Sequence, residues 1–500
     1  MMIADNADLI QPAGPEETQT FAGGHLIEGQ IVSAISGRTF AVINPATGVE
    51  VGSAALGDVH DVERAVAAAA KARQAWAAVP ARERGAKLAR GASRMIEKVE
   101  VIARLLALET GKAIRTECRP EVMTAADIGS FYGGLGSELK GETLPFRPDL
   151  LSITVREPLG VVAAILPWNV PLVLMMLKIA PALVAGNTVV VKTAEEAPLA
   201  TLMAARVLAE ELPAGVLNVV HGFGPDCGQP LVEHPLVAKV TFTGSQPVGE
   251  TIYASAAQKL IPVSLELGGK SPMIVMSDAD LAKAVAGAIA GMRFTRQGQS
   301  CTAASRIYVH ETIYEAFLES LAAAVRKLKI GNPLDEATDI GTIISRDQMD
   351  RIEHFVRLGQ ETPNVRMIVC GTVPDDKNLD PALFALPMLV ADVPEDSPLM
   401  REEIFGPIAC VVPWNDYEDV LKAANDSEFG LAASVWTNDL TKALDATRRL
   451  NAGYVQVNQN LTIQPNLSYG GFGKSGLGKE ASLEAMLEHF SRKKTIVFAG

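Results

Sequence analysis

Between residues 160 and 310 the apolar positions fall into short unbroken runs instead of an alternation. VVAAIL, TVVVK, LNVV and AKVTFTG are such runs. Stretches with helical spacing separate them: PLVLMMLKIAPALVAG, ATLMAARVLAEEL and QPLVEHPL. Unalternating runs of this length read as strands buried on both faces. Strand and helix in repeated succession predict an α/β fold with a doubly wound parallel sheet, whose ligands sit beyond the carboxyl ends of the strands. A second series begins at SPMIVM, with Asp278 or Asp280 capping the helix that leads toward residue 301. RIYV, TIYEAFLESLAAAVRKL, EHFVRLG and DYEDVLKAAND continue it.

Upstream, residues 1–20 are polar and read as a loose arm. HLIEGQIV and TFAVINPATG predict short strands joined by turns. Asp61 opens a predicted helix, a second spans roughly 83–110 and stops at Gly111, and a third covers about 116–135. After residue 136 the chain turns rich in turn-forming and β-branched residues, which predicts a projecting hairpin. The last residues, RKKTIVFAG, are β-prone. A terminal strand needs an edge to pair with, so it is expected to add to a partner subunit.

Composition narrows the class. The 500 residues are 48% apolar and 21% charged, ordinary for a soluble globular chain. A net charge of -13 argues against general affinity for nucleic acid or anionic membrane. Five cysteines without a CxxC pair fit a reducing compartment better than a disulfide framework or a zinc site. The apolar run at 170–186 is interrupted by Lys178 and Pro181, and is too short for a membrane span. No basic segment followed by an apolar core opens the chain, so a cytoplasmic location is expected.

The segment FTRQGQSCTAASR sets Cys301 between small and polar residues, where a thiol can meet a substrate. A buried structural cysteine is the competing reading. Asn169, in PWNVP after a strand, could aim its amide at an oxyanion, or simply form a turn. In VKTAEEAP, Lys192 and Glu195 could bind ribose hydroxyls or lie in a solvated loop. In FTGSQPVG, Gly244 and Gly249 flank a turn into a helix, where N–H groups can meet a pyrophosphate; a helix cap by Ser245 is the alternative. In SLELGGKSP, apolar surroundings would make Glu266 a usable general base; a surface glutamate is the alternative. In EEIFGP, Glu403 could accept from a ribose and Phe405 could contact a flat ring or pack in a core. SYGGFGKSGLGKE has the glycine density of a loop that approaches a ligand or another backbone closely.

Taken together and in this order, PWN, KTAE, FTGS, ELGGKSP, GQSC, EEIFGP and YGGFGKSG resemble the motifs of the aldehyde dehydrogenase superfamily, from NPATG to near Glu480. The resemblance implies a Rossmann-type cofactor domain (1–136 and 157–266), an α/β catalytic domain (267–467) and a small β oligomerisation arm (137–156 and 484–500). It implies a homodimer or homotetramer. It implies Cys301 as nucleophile, Asn169 as oxyanion donor and Glu266 as the base that frees a carboxylic acid. Lys178 and Glu480 match positions tied to proton relay and site architecture. Trp168, Lys192, Glu195, Gly244, Ser245, Gly249, Leu267, Glu403 and Phe405 match cofactor contacts. NAD is expected over NADP, because the Glu195 carboxylate would repel a 2′-phosphate. Thr193 replaces a common proline. Val170, Leu174, Leu177, Thr295, Leu461 and Ile463 are expected to line a largely apolar substrate tunnel without a charged clamp. An apolar aliphatic or aromatic aldehyde follows. Transfer of the acyl group to coenzyme A, and a non-catalytic role on the same fold, are the alternatives; the presence of Glu266 weighs against the first, and that of Cys301, Glu266 and Asn169 together against the second.

Overall fold

The computed structural model describes residues 21–460 and 463–499, so the polar arm at 1–20 lies outside the described residues. Two large sheets dominate. The first has eight strands in the order Gly476–Leu477, Val263–Glu266, Val237–Thr243, Val161–Ile165, Thr188–Lys192, Leu217–Val220, His25–Ile27 and Gln30–Val32. Its five central strands are parallel and its edges antiparallel. From Val161–Ile165 the chain winds outward through Thr188–Lys192 to Leu217–Val220. It then returns to the other side through Val237–Thr243. The winding therefore reverses between Val161–Ile165 and Val237–Thr243, and a crevice opens at the carboxyl ends of those two strands. The PWN and FTGS motifs follow these two strands directly.

The second sheet has seven strands in the order Arg366–Val369, Met388–Ala391, Ile408–Trp414, Arg306–His310, Pro272–Val275, Ala432–Trp436 and Tyr454–Val457. All are parallel but Arg366–Val369. Each sheet carries its own packed layers, with Val162, Val189 and Val219 in one core and Met273, Ile307 and Val411 in another. The helix Pro171–Ala185 is buried on every side, which its near-continuous apolar sequence requires, and Gly186 ends it in the left-handed conformation at φ 99°.

Two expectations are corrected, and two are sharpened. The first long helix is Val59–Ala78, capped by Asp58; Asp61 sits one turn in, where its carboxylate closes a capping box and also accepts from Ile35 N–H. The expected helix at 83–110 is two, Ala81–Glu97 and Val99–Thr110, broken at Lys98, while Gly111 does end the second at φ 70°. The terminal strand Ser491–Ala499 pairs antiparallel with Leu150–Pro158 of its own chain, in register from Ser491↔Pro158 to Ala499↔Leu150. The hairpin region thus supplies one edge for it, and its other edge is unpaired among the described residues. Asp280, not Asp278, caps the helix Leu281–Met292; Asp278 instead holds Thr437 and Asn438. No helix among the described residues is long and apolar enough to cross a membrane.

Candidate active site

Cys301 lies in a turn between the helix Leu281–Met292 and the strand Arg306–His310. It is half-buried and lines a cavity of about 440 Å³. Its Sγ is 3.5 Å from the hydroxyl of Tyr469, which comes from the glycine-rich segment. Burial pushes the thiol up to about 11; the Tyr469 contact works against that rise, and the carboxylates of Glu403 and Glu266 add to it. Burial also drives the Tyr469 phenol well above its ordinary value, so it keeps its proton and serves as a donor.

Asn169 follows the strand Val161–Ile165 and is buried beside the same cavity. Its Nδ2 donates to Gln299 O at 3.1 Å, two residues before the cysteine, and a second amide hydrogen remains. The position is held from behind. Lys112 Nζ donates to Asn169 O at 2.8 Å and ion-pairs with Glu121, which accepts from Leu172 N–H at the start of the next helix.

Glu266 ends the strand Val263–Glu266 and is buried, with Oε2 lacking a partner. Burial raises its carboxyl well above the ordinary value, and the Glu480 charge adds to this; Lys178 and Lys479 offset part. The glycine-rich segment closes over it. Gly470 has φ 145°, and a Cβ there would sit 2.6 Å from Glu266 Oε1, so only glycine fits. Behind this carboxyl, Lys178 and Glu480 form a fully buried ion pair at 2.7 Å, joined by Thr241 Oγ1 at 3.3 Å. Lys178 is the one charge on the otherwise apolar helix Pro171–Ala185, and Glu480 is what compensates it.

Of the expected tunnel residues, Val170, Leu174, Thr295 and Ile463 line the cavity. Leu177 does not; it is fully buried in the core beneath. Leu461 lies outside the described residues. The expectation of a largely apolar tunnel without a charged clamp meets four charged residues on the lining, Glu117, Glu121, Arg293 and Arg296. Glu117 is engaged: Arg296 pairs with it at 2.6 Å and Thr295 Oγ1 donates to it at 2.5 Å. Burial opposes the Glu117 charge, but Arg296 and Thr295 outweigh it and hold the carboxyl below its ordinary value.

The expected cofactor residues form two groups. At the carboxyl end of Thr188–Lys192, Lys192 Nζ and Glu195 lie 2.9 Å apart. Beyond Val237–Thr243, Gly244 N–H donates to Glu266 O, and Ser245 opens the helix Gln246–Lys259 without any side-chain cap bond. Gly249 in that helix faces Leu267 so closely that a Cβ would lie 2.6 Å from its Cδ2. The second group lies against the cysteine turn. Glu403 accepts from Gly269 N–H at 2.9 Å, and burial raises its carboxyl to about 7 against that bond. Trp168 and Phe405 meet edge to face at 5.4 Å. Phe405 has φ 58°, and Gln348 Nε2 donates to its carbonyl at 3.0 Å. An uncapped helix N-terminus, a lysine–carboxylate pair and an aromatic corner are the donor set that a pyrophosphate, a ribose and a flat ring require.

Sequence reasoning missed Lys112, Glu117, Glu121, Gln299, Arg293, Arg296 and Tyr469. The first three lie on or beside helices, where a charge reads as a solvated face. Tyr469 sits inside a motif that was noted only for its glycines.

The aldehyde dehydrogenase family model matches residues 31–496. A phenylacetaldehyde dehydrogenase of Pseudomonas fluorescens is 42% identical over 484 residues, covering 95% of each chain. A betaine aldehyde dehydrogenase of Brucella melitensis is 40% identical, covering 94% of this chain and 96% of the relative. Among solved structures, PnpE of Pseudomonas sp. WBC-3, determined in complex with nicotinamide adenine dinucleotide, superposes with a TM-score of 0.92 at 36% identity, covering 95% of this chain and 97% of the other. Matched along nearly its whole length, the chain belongs to the aldehyde dehydrogenase family.

Proposed function

We propose that the chain oxidises an aldehyde to the carboxylic acid with NAD, through a covalent bond to Cys301. The observation that carries this reading is the convergence on one cavity wall of the Cys301 thiol, the spare Asn169 amide hydrogen and the Tyr469 hydroxyl, with Glu266 buried close enough to act on the thiol's proton affinity. Of the described residues, those up to 136 and those from 157 to 266 form the cofactor domain, and those from 267 to 467 the catalytic domain. The cofactor is held by Lys192, Glu195, Ser245 and the Trp168–Phe405 corner. The NAD bound in the PnpE complex supports the choice, and so does the Glu195 carboxylate, which would repel a 2′-phosphate.

The thiolate attacks the carbonyl carbon. Asn169 Nδ2–H and the main-chain N–H of Cys301 hold the oxygen as it becomes an oxyanion. Bound NAD would supply the acceptor for the hydride that leaves the reacting carbon, and the acyl group stays on Cys301 as a thioester. Glu266 then takes a proton from water, which attacks the thioester and releases the acid. The high proton affinity that burial gives Glu266 makes it a strong base, and the Lys178–Glu480 pair fixes the field it works in. Tyr469 donates to the thiolate and favours it. The body of the aldehyde is apolar, matching the wall formed by Val170, Val173, Leu174 and Ile463.

We also propose a homo-oligomer. The strand Ser491–Ala499 is an edge strand of a three-stranded sheet, and Phe146, Leu151, Val497 and Phe498 on and beside that sheet are exposed. A long exposed edge with apolar side chains is a template for pairing with another chain.

Four measurements check these readings. Cys301→Ala is expected to abolish NADH formation while NAD still binds, by calorimetry; retained turnover overturns the nucleophile. Glu266→Gln is expected to leave a rapid burst of NADH followed by a rate about 100-fold slower, the lower end of what one general base contributes. In the native enzyme, deacylation should rise with pH through values well above the ordinary glutamate range, since the base works only when deprotonated, and the Gln variant should lose that limb. A burst lost together with turnover would place Glu266 earlier in the reaction. Tyr469→Phe removes a donor to the thiolate, so alkylation of Cys301 by iodoacetamide should need higher pH; an unchanged profile removes Tyr469 from thiol activation. Sedimentation equilibrium is expected to give two or four times the 53.0 kDa chain mass. A single chain mass sinks the oligomer.

A further inference from the structure

Four charged side chains line the substrate cavity, and three of them are matched. Glu117 is paired with Arg296, and Glu121 is paired with Lys112 from behind. Arg293 is left over. Among the described residues its guanidinium has neither a hydrogen bond nor an ion pair, although the residue is half-buried and lines the same cavity as Cys301. A half-buried cation without an acceptor is costly, and native chains rarely keep one without use.

The backbone points the same way. Arg293 is the residue at which the helix Leu281–Met292 ends, with φ 57° and ψ 44°. Glycine or asparagine takes that left-handed conformation more cheaply than arginine does. The chain thus carries a strained backbone and an unmatched charge at one residue, eight positions before the nucleophile. Such a site is completed by an anion that arrives with a ligand. It does not read as structural, because a structural arginine would have its partner already, as Arg296 does.

We propose that the natural aldehyde bears a carboxylate at the end remote from its carbonyl, and that Arg293 binds that carboxylate. This rests on the aldehyde-oxidising reading above and narrows the substrate within it: an apolar body against Val173, Leu174 and Ile463, with an anionic tail. The planar fork of a guanidinium suits a carboxylate through two parallel hydrogen bonds. Glu117 does not compete for it, being held by Arg296 and Thr295. The carboxylate brings the cavity lining and Lys112 to charge balance.

The test compares kcat/KM, read as NADH formation, for para-carboxybenzaldehyde against para-methylbenzaldehyde and for glutaric semialdehyde against pentanal. The native enzyme is expected to favour the acid of at least one pair by about 10-fold or more, the scale of a charge-assisted hydrogen bond. Arg293→Gln is expected to cut that acid-to-neutral ratio by about 10- to 100-fold. Should the Gln variant not fold, Arg293→Lys carries the test: it keeps the charge but loses the fork, and the ratio should fall several-fold. Preference for the neutral member in both pairs overturns the proposal and leaves aldehyde oxidation standing. So does a ratio that the variant leaves unchanged. No NADH from any of the four aldehydes overturns both.

Discussion

The N–H of Gly269 donates to the Glu403 carboxylate at 2.9 Å, and this contact pins the place where the two large sheets join. Glu266 ends a strand of the first sheet and Pro272 begins a strand of the second, so only five residues separate them. Within that link a Cβ on Gly268 would lie 2.3 Å from Glu403 Oε2, and a Cβ on Gly269 would lie 2.4 Å from Cys301 O. The double glycine is therefore a steric requirement. It lets the cysteine turn and the Glu403 carboxyl close on the link from two directions. Ser475 of the glycine-rich segment closes a third, its Oγ donating to Gly268 O at 2.7 Å and its carbonyl accepting from Leu267 N–H. The Cys301 turn, Glu266 and the Glu403 end of the crevice are thereby set by one short piece of backbone.

Around this link the buried charges follow a common rule. Lys178 has Glu480, Lys112 has Glu121 and Arg296 has Glu117, each pair within 2.7 Å. Removing one partner of such a pair strands the other charge at a cost of several kcal/mol, about 3–5 by analogy with measured cases. Each pair also holds something the chemistry needs: the field around Glu266, the carbonyl of Asn169, and the loop before Cys301. Glu266 and Arg293 break the rule, and so does Lys270 in the link itself, whose buried Nζ has no partner among the described residues. A carboxyl without a cation retains its proton and is a base when it gives it up. A guanidinium cannot shed its charge at physiological pH and so must find an anion. In the roles proposed above, the same omission of a partner makes a base of Glu266 and a receptor of Arg293.

The architecture was legible because its strands are buried on both faces and therefore write themselves as unbroken apolar runs. VVAAI, TVVVK and LNVV each became a strand, and the motifs at their carboxyl ends landed at the crevice. The charged residues behind the site were not legible. Lys112 and Glu121 lie one before and one within a helix whose exposed face also carries charge, and nothing local distinguishes a buried charge from a solvated one. Leu177 failed for the opposite reason: on a helix buried all round, periodicity does not say which side faces a cavity. The terminal strand was legible as a strand, but its pairing with Leu150–Pro158 was not, since pairing between residues some 340 positions apart in one chain leaves no local trace.

The reactivity of Cys301 turns on how these elements act together. Burial and two carboxylates raise the thiol to about 11, which by itself describes an inert cysteine at neutral pH. Glu266 is one of those carboxylates, and its own proton affinity is raised by burial and by the Glu480 charge. A charged Glu266 therefore opposes ionisation of the thiol, while the Tyr469 hydroxyl works the other way. In the reaction proposed above an acylated sulfur bears no charge, so this opposition belongs to the first half-reaction alone, and Glu266 would act on water in the second.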